Sequence, residues 1–299
     1  MKIKAFIFIL LAGILWGTSG LFVHYLAPYG VSSVQMSAVR GVVSFIPLAV
    51  YALIKDRGLF RLDPKRALLF LAIGAAIFGT ATLYYTSMQM TSVSTAVVLM
   101  YTAPIYVMAF SVAFLGEKLS GLKLCSVVMM LVGCCLVSGI VGGMKFDLLG
   151  ILLGVLTGIV YAAYNVLTKI AMKKGYAPVS TTMYSFLVMG VIATAVCKPG
   201  ELISSAAVRP AVTLPLLIGL GILTCVLPYF FYTLSMKELS AGTASALGIV
   251  EPMAATLFSV IFLDEKIDLL QIAGIALILI AVVLLGRTES AQTEKEDGK

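Results

Sequence analysis

Glu251 is an acidic residue in an otherwise apolar stretch, 248-GIVEPMAATLFSVIFL-263, and Pro252 follows it directly. An ionised carboxylate inside a hydrocarbon layer costs several kcal/mol unless something offsets it. Such a carboxylate can exchange a proton or bind a cationic group. We therefore predict that Glu251 binds a cationic group of a ligand, exchanges a proton, or does both. The alternative is that it caps a helix kinked by Pro252 or reaches toward the interface.

Arg40 is the second charge within an apolar segment, in the sequence SAVRGVVSF. A guanidinium keeps its charge, so it needs a carboxylate, carbonyl groups or water. At a helical rise of about 1.5 Å per residue, Arg40 and Glu251 differ in depth by roughly 10 Å. A direct pair is therefore possible but not implied. Two opposite charges beside a cavity would suit a zwitterion such as an amino acid.

Aromatic and hydrogen-bonding side chains near mid-membrane complete the predicted substrate-binding pocket. Any one of them alone is more often a packing residue. The set comprises Trp16, Tyr101, Thr102, Tyr161, Tyr164 and Asn165, of which Tyr161 and Asn165 share a helix face. Tyr229 and Tyr232 are weaker candidates and are interpreted as interfacial. Pro104 and Pro252 occupy matched positions, and we predict that they kink their helices and act as paired gating hinges.

Other chemistries lack their residues. The chain has one histidine and five cysteines without a CxxC spacing, so we expect no metal and no cofactor. HExxH and GxSxG motifs are absent from the sequence, which argues against an enzyme. A Walker motif is also absent, so gradients rather than ATP would supply the energy. A channel is disfavoured because no ring of like polar residues is apparent.

The composition defines the elements that must position these residues. Of 299 residues, 61% are hydrophobic and only 12% are charged, and the mean hydropathy is +1.07. The apolar residues fall into blocks long enough to cross a layer of about 30 Å. There are ten blocks, at 5–26, 34–54, 67–88, 93–114, 122–140, 149–169, 178–197, 212–235, 243–263 and 269–286. We predict an all-α integral membrane protein with ten transmembrane helices.

Lysine and arginine are distributed unevenly between the connecting segments. With a cytoplasmic N-terminus, the inner segments hold 16 of these residues, the outer segments hold 4, and Arg40 lies within a span. The positive-inside rule therefore predicts that both termini are cytoplasmic in a multi-pass protein of the plasma (inner) membrane. The net charge of +7 reflects topology and gives no reason to expect a nucleic-acid partner.

The chain also contains an internal repeat. Residues 84–118 and 232–266 align without a gap at an offset of 148, with 15 identities that include Pro104/Pro252. Each half begins with a GxxxG pair, Gly13/Gly17 and Gly154/Gly158, read as close packing or as surfaces that slide. Five spans per half is an odd number, so the second half is inverted, as in secondary transporters. We predict repeats at 1–141 and 142–287 around a central cavity, followed by a disordered cytoplasmic tail at 288–299.

These motifs resemble the EamA-type family of the drug/metabolite transporter superfamily. The resemblance rests on LWGTSGLF in the first span, the arginine of SAVRGVVSF, and the matched GEKL and DEKI sequences that follow the two proline-containing spans. It implies ten helices in two inverted halves and a small-molecule transporter. Members mostly export amino acids and other metabolites, whereas relatives carry sugars, nucleotide sugars or choline-like cations.

We therefore expect a secondary transporter that exports a small polar metabolite by alternating access, with proton coupling through Glu251. The alternatives are an uncoupled facilitator or exchanger, and a carrier of an organic cation held by aromatic rings and Glu251. The expected partners are a small-molecule substrate, the lipid bilayer and protons. A monomer is expected, because two fused inverted halves can form a complete cavity.

Overall fold

The computed structural model describes residues 2–91, 93–116, 120–138, 147–264 and 266–297. Their regular elements are helices joined by short connections. The helices are α1 (Lys2–Gly17), α2 (Ser19–Leu26), α3 (Ser33–Lys55), α4 (Pro64–Met90), α5 (Val93–Met100), α6 (Ala103–Leu115), α7 (Gly121–Val137), α8 (Leu148–Lys173), α9 (Pro178–Val196), α10 (Pro199–Ala207), α11 (Pro210–Gly221), α12 (Leu227–Ser235), α13 (Ala241–Leu247), α14 (Val250–Leu263) and α15 (Leu269–Asp297). A π-helical turn, Ile222–Val226, joins α11 to α12.

The described helices correspond to the ten apolar blocks of the sequence, nine of them of membrane-spanning length. Within the described residues, nine segments are at least 18 residues long and sufficiently apolar to span a bilayer. The tenth, α7, is a shorter apolar helix of 17 residues. The architecture is that of an all-α integral membrane protein with two inverted five-helix repeats. The predicted boundary between the repeats, at 141/142, lies outside the described residues.

The end of the chain differs from the expected disordered tail. Helix α15 continues past the last apolar residues to Asp297. Residues 288–297 include three glutamates together with Ala291, Gln292 and Lys295, and these residue types favour helix without any need for burial. The polar composition that suggested disorder is thus also compatible with an extension of the last helix. Residues 298 and 299 lie outside the described part of the chain.

The fourth and ninth spans are each broken at the same point of the repeat. Helix α5 ends at Met100 and α6 starts at Ala103, while α13 ends at Leu247 and α14 starts at Val250. Pro104 and Pro252 therefore lie in the first turn of a new helix, where a missing N–H costs little. The prediction that Pro104 and Pro252 kink their helices is therefore wrong. Each span instead consists of two short helices.

The two repeats exchange contacts through their GxxxG pairs. Gly13 and Gly17 of α1 face α14, and a Cβ on Gly17 would lie 2.7 Å from the Ala254 Cβ. Gly154 and Gly158 of α8 face the α5–α6 break, and a Cβ on Gly158 would lie 2.9 Å from Thr102 Oγ1. The first helix of each repeat thus packs against the broken span of the other. Glycine permits this approach because any side chain would separate the helices.

Candidate functional site

Glu251 lies in the first turn of α14 and is only partly buried. Its Oε2 atom accepts a hydrogen bond of 2.5 Å from the Tyr101 hydroxyl, which comes from the α5–α6 break. The N-terminus of a helix carries a partial positive charge that favours a nearby carboxylate. The position at a break, together with the bond to Tyr101, explains how an acidic residue is accommodated at this depth.

Six residues form an aromatic cluster beside Glu251. We define the aromatic cluster as Trp16, Tyr161, Tyr164, Asn165, Tyr229 and Tyr232. Trp16 approaches Tyr229 and Tyr232 with ring centroids 5.1 and 5.2 Å apart. Tyr164 stacks on Tyr161 at 5.7 Å and meets Tyr229 edge-on at 5.8 Å. The rings come from three spans, so their arrangement depends on how the repeats pack.

Asn165 is the amide of the aromatic cluster and is fully buried. Its Nδ2 atom donates to the Tyr161 carbonyl at 2.6 Å, and its Oδ1 atom accepts from the Tyr232 hydroxyl. The interfacial interpretation of Tyr229 and Tyr232 is therefore wrong. Tyr232 has 0% of its surface exposed, and its identity with Tyr84 in the repeat was the signal that set it apart from an ordinary interfacial tyrosine.

Trp16 brings an unused hydrogen-bond donor to the aromatic cluster. The residue is 5% exposed, and among the described residues its buried Nε1 atom has no hydrogen-bond partner. A buried donor without a partner is costly, so such groups call for an explanation. One explanation is that this donor serves a ligand that is bound for part of a cycle.

Arg40 and Glu251 do not pair with each other in the described part of the chain. The Arg40 Nε atom donates to the Cys225 Sγ atom at 3.0 Å. Cys225 is fully buried in the π-helical turn. Cys225 thus provides a hydrogen-bond acceptor as well as apolar packing. The π turn inserts a residue into the helix and changes which side chain faces Arg40, so periodicity gave no signal for this contact.

The hydroxyl of Thr102, a predicted site residue, forms a hydrogen bond within its own span. Its hydroxyl donates to the Leu99 carbonyl at 2.6 Å, and the side chain packs against Gly158. It supports the α5–α6 break rather than presenting a free group. Pro104 is buried beside it, and Pro252 is buried next to Glu251. The prolines therefore help to form the two breaks but present no polar atom to a ligand.

The centre between the repeats is closely packed. Tyr101 and Tyr164 are each 2% exposed, whereas Arg40, Tyr161 and Glu251 remain partly buried. Residues expected to line a cavity thus contact one another directly. Glu251 itself is not fully enclosed by this packing.

Ten helices in two inverted repeats, with a carboxylate and aromatic rings where two spans are broken, define a polytopic carrier-type membrane protein. The sequence profile of the EamA-like transporter family matches residues 3–139 and 148–287. The chain therefore belongs to the EamA-like transporter family, within the drug/metabolite transporter superfamily, and is a multi-pass membrane transporter.

Similar proteins span the same length. An uncharacterized transporter of Archaeoglobus fulgidus is 29% identical over 93% of this chain and 95% of its own. The Bacillus subtilis uncharacterized transporter YwfM is 27% identical over 97% and 96%. A solved crystal structure shares the fold with a TM-score of 0.80, at 16% identity, over 98% of this chain and 99% of that one.

Proposed function

We propose that the protein is a secondary transporter that exports a small polar metabolite, such as an amino acid, by alternating access. It would act as a monomer in the plasma membrane with both termini cytoplasmic, and it would catalyse no reaction. Glu251 would bind a cationic group of the cargo or a proton, or both in turn. An excess of lysine and arginine in one set of loops supports the orientation.

The observation that carries this proposal is the hydrogen bond from Tyr101 to Glu251. It joins the break of one repeat to the break of the other. If the repeats rock against each other, this contact must lengthen or break. Protonation of the carboxylate, or its binding of a cargo cation, would weaken its need for the Tyr101 hydroxyl. Ligand chemistry and repeat movement would then be linked at a single contact.

The surrounding groups support a cargo with both charges. Glu251 offers an acceptor for an ammonium group, while Arg40 donates from Nε to Cys225 and could bind a carboxylate with its other N–H groups. The unpartnered Trp16 Nε1–H adds a second donor. A zwitterionic metabolite would use all three groups.

An organic cation is the second candidate cargo. The rings of Trp16, Tyr164 and Tyr229 lie together beside an acidic residue. Aromatic faces attract a cation even when it has no hydrogen-bond donor. A site specific for a zwitterion would not need these aromatic faces. Such a cargo would depend on the rings and Glu251 but not on Arg40.

Capacitively detected currents from proteoliposomes would test the proposal. Wild type, Glu251→Gln and Arg40→Gln would be challenged with amino acids, quaternary and guanidinium cations, and sugars, each at several pH values. We expect a saturable response to one class that Glu251→Gln removes. A response to amino acids lost in both variants supports the zwitterion, whereas one lost only in Glu251→Gln supports the cation.

Radiolabelled counterflow on the same vesicles covers electroneutral exchange. Retained transport without pH dependence in Glu251→Gln would show that Glu251 couples protons but is not needed for cargo. Unchanged transport and unchanged pH dependence in that variant would overturn both roles of Glu251.

A further inference from the structure

Two lysines are buried at the end of the helix bundle that the charge distribution predicts to be cytoplasmic. Lys123, near the start of α7, is 1% exposed, and Lys169, near the end of α8, is 8% exposed. Lysine is almost never fully buried, because removing an ammonium group from water is costly. Both side chains point toward the turn 236–240, which joins α12 to α13.

Lys169 holds the first half of the 236–240 turn. Its Nζ atom donates to the Met236 carbonyl at 2.7 Å and to the Leu239 carbonyl at 2.5 Å. These carbonyls follow the end of α12, where a helix presents unsatisfied acceptors and a partial negative charge. An ammonium group is well suited to such a position. Lys169 thereby fixes the end of the helix that carries Tyr229 and Tyr232.

Lys123 holds the second half of the same turn. Its Nζ atom donates to the Ser240 Oγ atom at 2.6 Å. The same hydroxyl accepts from the Thr243 backbone N–H and caps α13. Lys123 therefore ties the first repeat to the start of the helix that ends at the break before Glu251. Gly242, two residues after Ser240, packs against Met108 of α6. This part of α13 therefore lies against the first repeat.

We propose that Lys123 and Lys169 form a latch that closes the predicted cytoplasmic end of the transport pathway by holding the 236–240 turn. The proposal rests on alternating access by this chain. In the closed state both ammonium groups donate to the turn, and in the open state water replaces these acceptors. Burial and hydration oppose each other, so the two states can lie close in free energy. Lys123 and Lys169 are thus positioning residues that act through α12 and α13.

The residue that corresponds to Lys123 at the 148-residue offset is an amide, Gln271 of α15. Its Nε2 atom donates to the Val137 carbonyl at 3.4 Å. A long amide contact holds less firmly than a short ammonium contact. Loss of the Lys123 and Lys169 contacts should therefore favour opening at the predicted cytoplasmic end.

Cys225 provides a reporter for the test, because it lies fully buried at the centre beside Arg40. Cys125, Cys134, Cys135 and Cys197 would be replaced by alanine, leaving Cys225 as the single thiol. A membrane-impermeant maleimide would then be applied from one side at a time, in right-side-out and inside-out vesicles. Labelling requires no cargo, so it measures opening independently of the proposed substrate.

We expect Lys169→Met and Lys123→Met to raise the rate of Cys225 labelling about tenfold from the predicted cytoplasmic side alone, as expected for loss of hydrogen bonds to a charged group. Lys237→Met is the matched control, since Lys237 lies exposed on the same turn. It should leave the rate unchanged. Ser240→Ala keeps both ammonium groups and should give a smaller rise, which retains a test if a lysine variant fails to fold.

Equal rates in wild type and in every latch variant would overturn the proposal. A similar rise from both sides would also overturn it, because general loosening and not a latch would be the cause. If labelling responds as expected but no member of the cargo panel is transported, the latch stands and the cargo assignment fails. If cargo flux depends on Glu251 while labelling is unchanged, the latch fails and the cargo site stands.

Discussion

The breaks in the fourth and ninth spans occupy equivalent positions in the two repeats but carry different side chains. After its break, α6 begins with Ala103 and Pro104, whereas α14 has Glu251 and Pro252 at the corresponding positions. The backbone device is shared, and each break contacts a GxxxG helix of the opposite repeat. Only the second break has a carboxylate, and the first contributes Tyr101 to hold it. The pseudo-symmetry of the two breaks therefore accounts for the movement expected of the spans. The difference between their side chains accounts for the expected binding chemistry.

The largest expected effect comes from removing that difference. Glu251→Gln keeps the shape of the second break but removes its charge. Losing one partner of a buried charged contact costs ~2–5 kcal/mol, so cargo flux should fall at least about 30-fold. The matched change in the first repeat, Ala103→Ser, should alter flux by less than twofold. Equal effects of the two substitutions on the flux assay would contradict a special role for the second break.

The close helix contacts test whether the two breaks are packed alike. Gly17→Ala would place a Cβ 2.8 Å from the Ala255 backbone nitrogen, and Gly158→Ala would place one 3.1 Å from the Leu99 carbonyl oxygen. Overpacking of this kind destabilises by about 1–3 kcal/mol. Both variants should lower the thermal unfolding midpoint in detergent, Gly17→Ala by more, because it meets backbone more closely.

Gly20→Ala is the control for this pair, since a Cβ there has no neighbour within 4 Å. Its unfolding midpoint should stay at the wild-type value. A loss as large in Gly20→Ala as in Gly17→Ala would contradict the role of close packing, because alanine favours helix over glycine and removes no contact there.

The contact between the breaks can be weakened without removing the charge. Tyr101→Phe deletes the hydroxyl that donates to Glu251. Hydrogen bonds to charged groups contribute about 1.5–3 kcal/mol, so apparent cargo affinity should change by about tenfold. Tyr106→Phe, in the helix α6 that follows the break, is the comparison and should behave as wild type. Affinity unchanged in Tyr101→Phe would show that the bond is not linked to cargo.

The smallest effect is expected at Thr102. Within the described residues its hydroxyl donates to the Leu99 carbonyl, so Thr102→Val removes one neutral hydrogen bond of about 0.5–1.5 kcal/mol. Thermal stability should fall slightly while the affinity and pH dependence of transport remain unchanged. A change of cargo selectivity in Thr102→Val would instead return Thr102 to the binding site.

Hydropathy and the repeat were sufficient to predict the fold. Ten apolar blocks, an offset of 148 residues and an odd number of spans per half lead to two inverted repeats. The length of each helix follows from the thickness of the bilayer, and the inversion follows from the odd number of spans in each half. Both can be read from the pattern of apolar blocks. The breaks were harder to predict, because a proline is compatible with either a kink or the start of a new helix. The backbone around Thr102 and Ile249 decides between them.

The sequence indicated candidate residues for the site but not the contacts between them. Glu251, Tyr101 and Trp16 stood out because polar or large aromatic residues are unusual at mid-membrane. Their partners depend on which helices approach across the repeats. Cys225 meets Arg40 only because of a π turn, and Lys169 meets the Met236 and Leu239 carbonyls, which lie 67 and 70 residues further along the chain. Neither contact has a periodic signal.

The exchange of contacts between the GxxxG helices and the broken spans has a consequence for how the chain is made. Gly17 and its partner Ala254 are separated by 237 residues of sequence. A ribosome adds about 5–20 residues per second, so α1 waits roughly 10–50 s for the surface it packs against. During that interval the glycine face of α1 must be covered by lipid or by the insertion machinery. The first repeat leaves the ribosome as an incomplete product, and assembly is concluded only when the ninth span arrives.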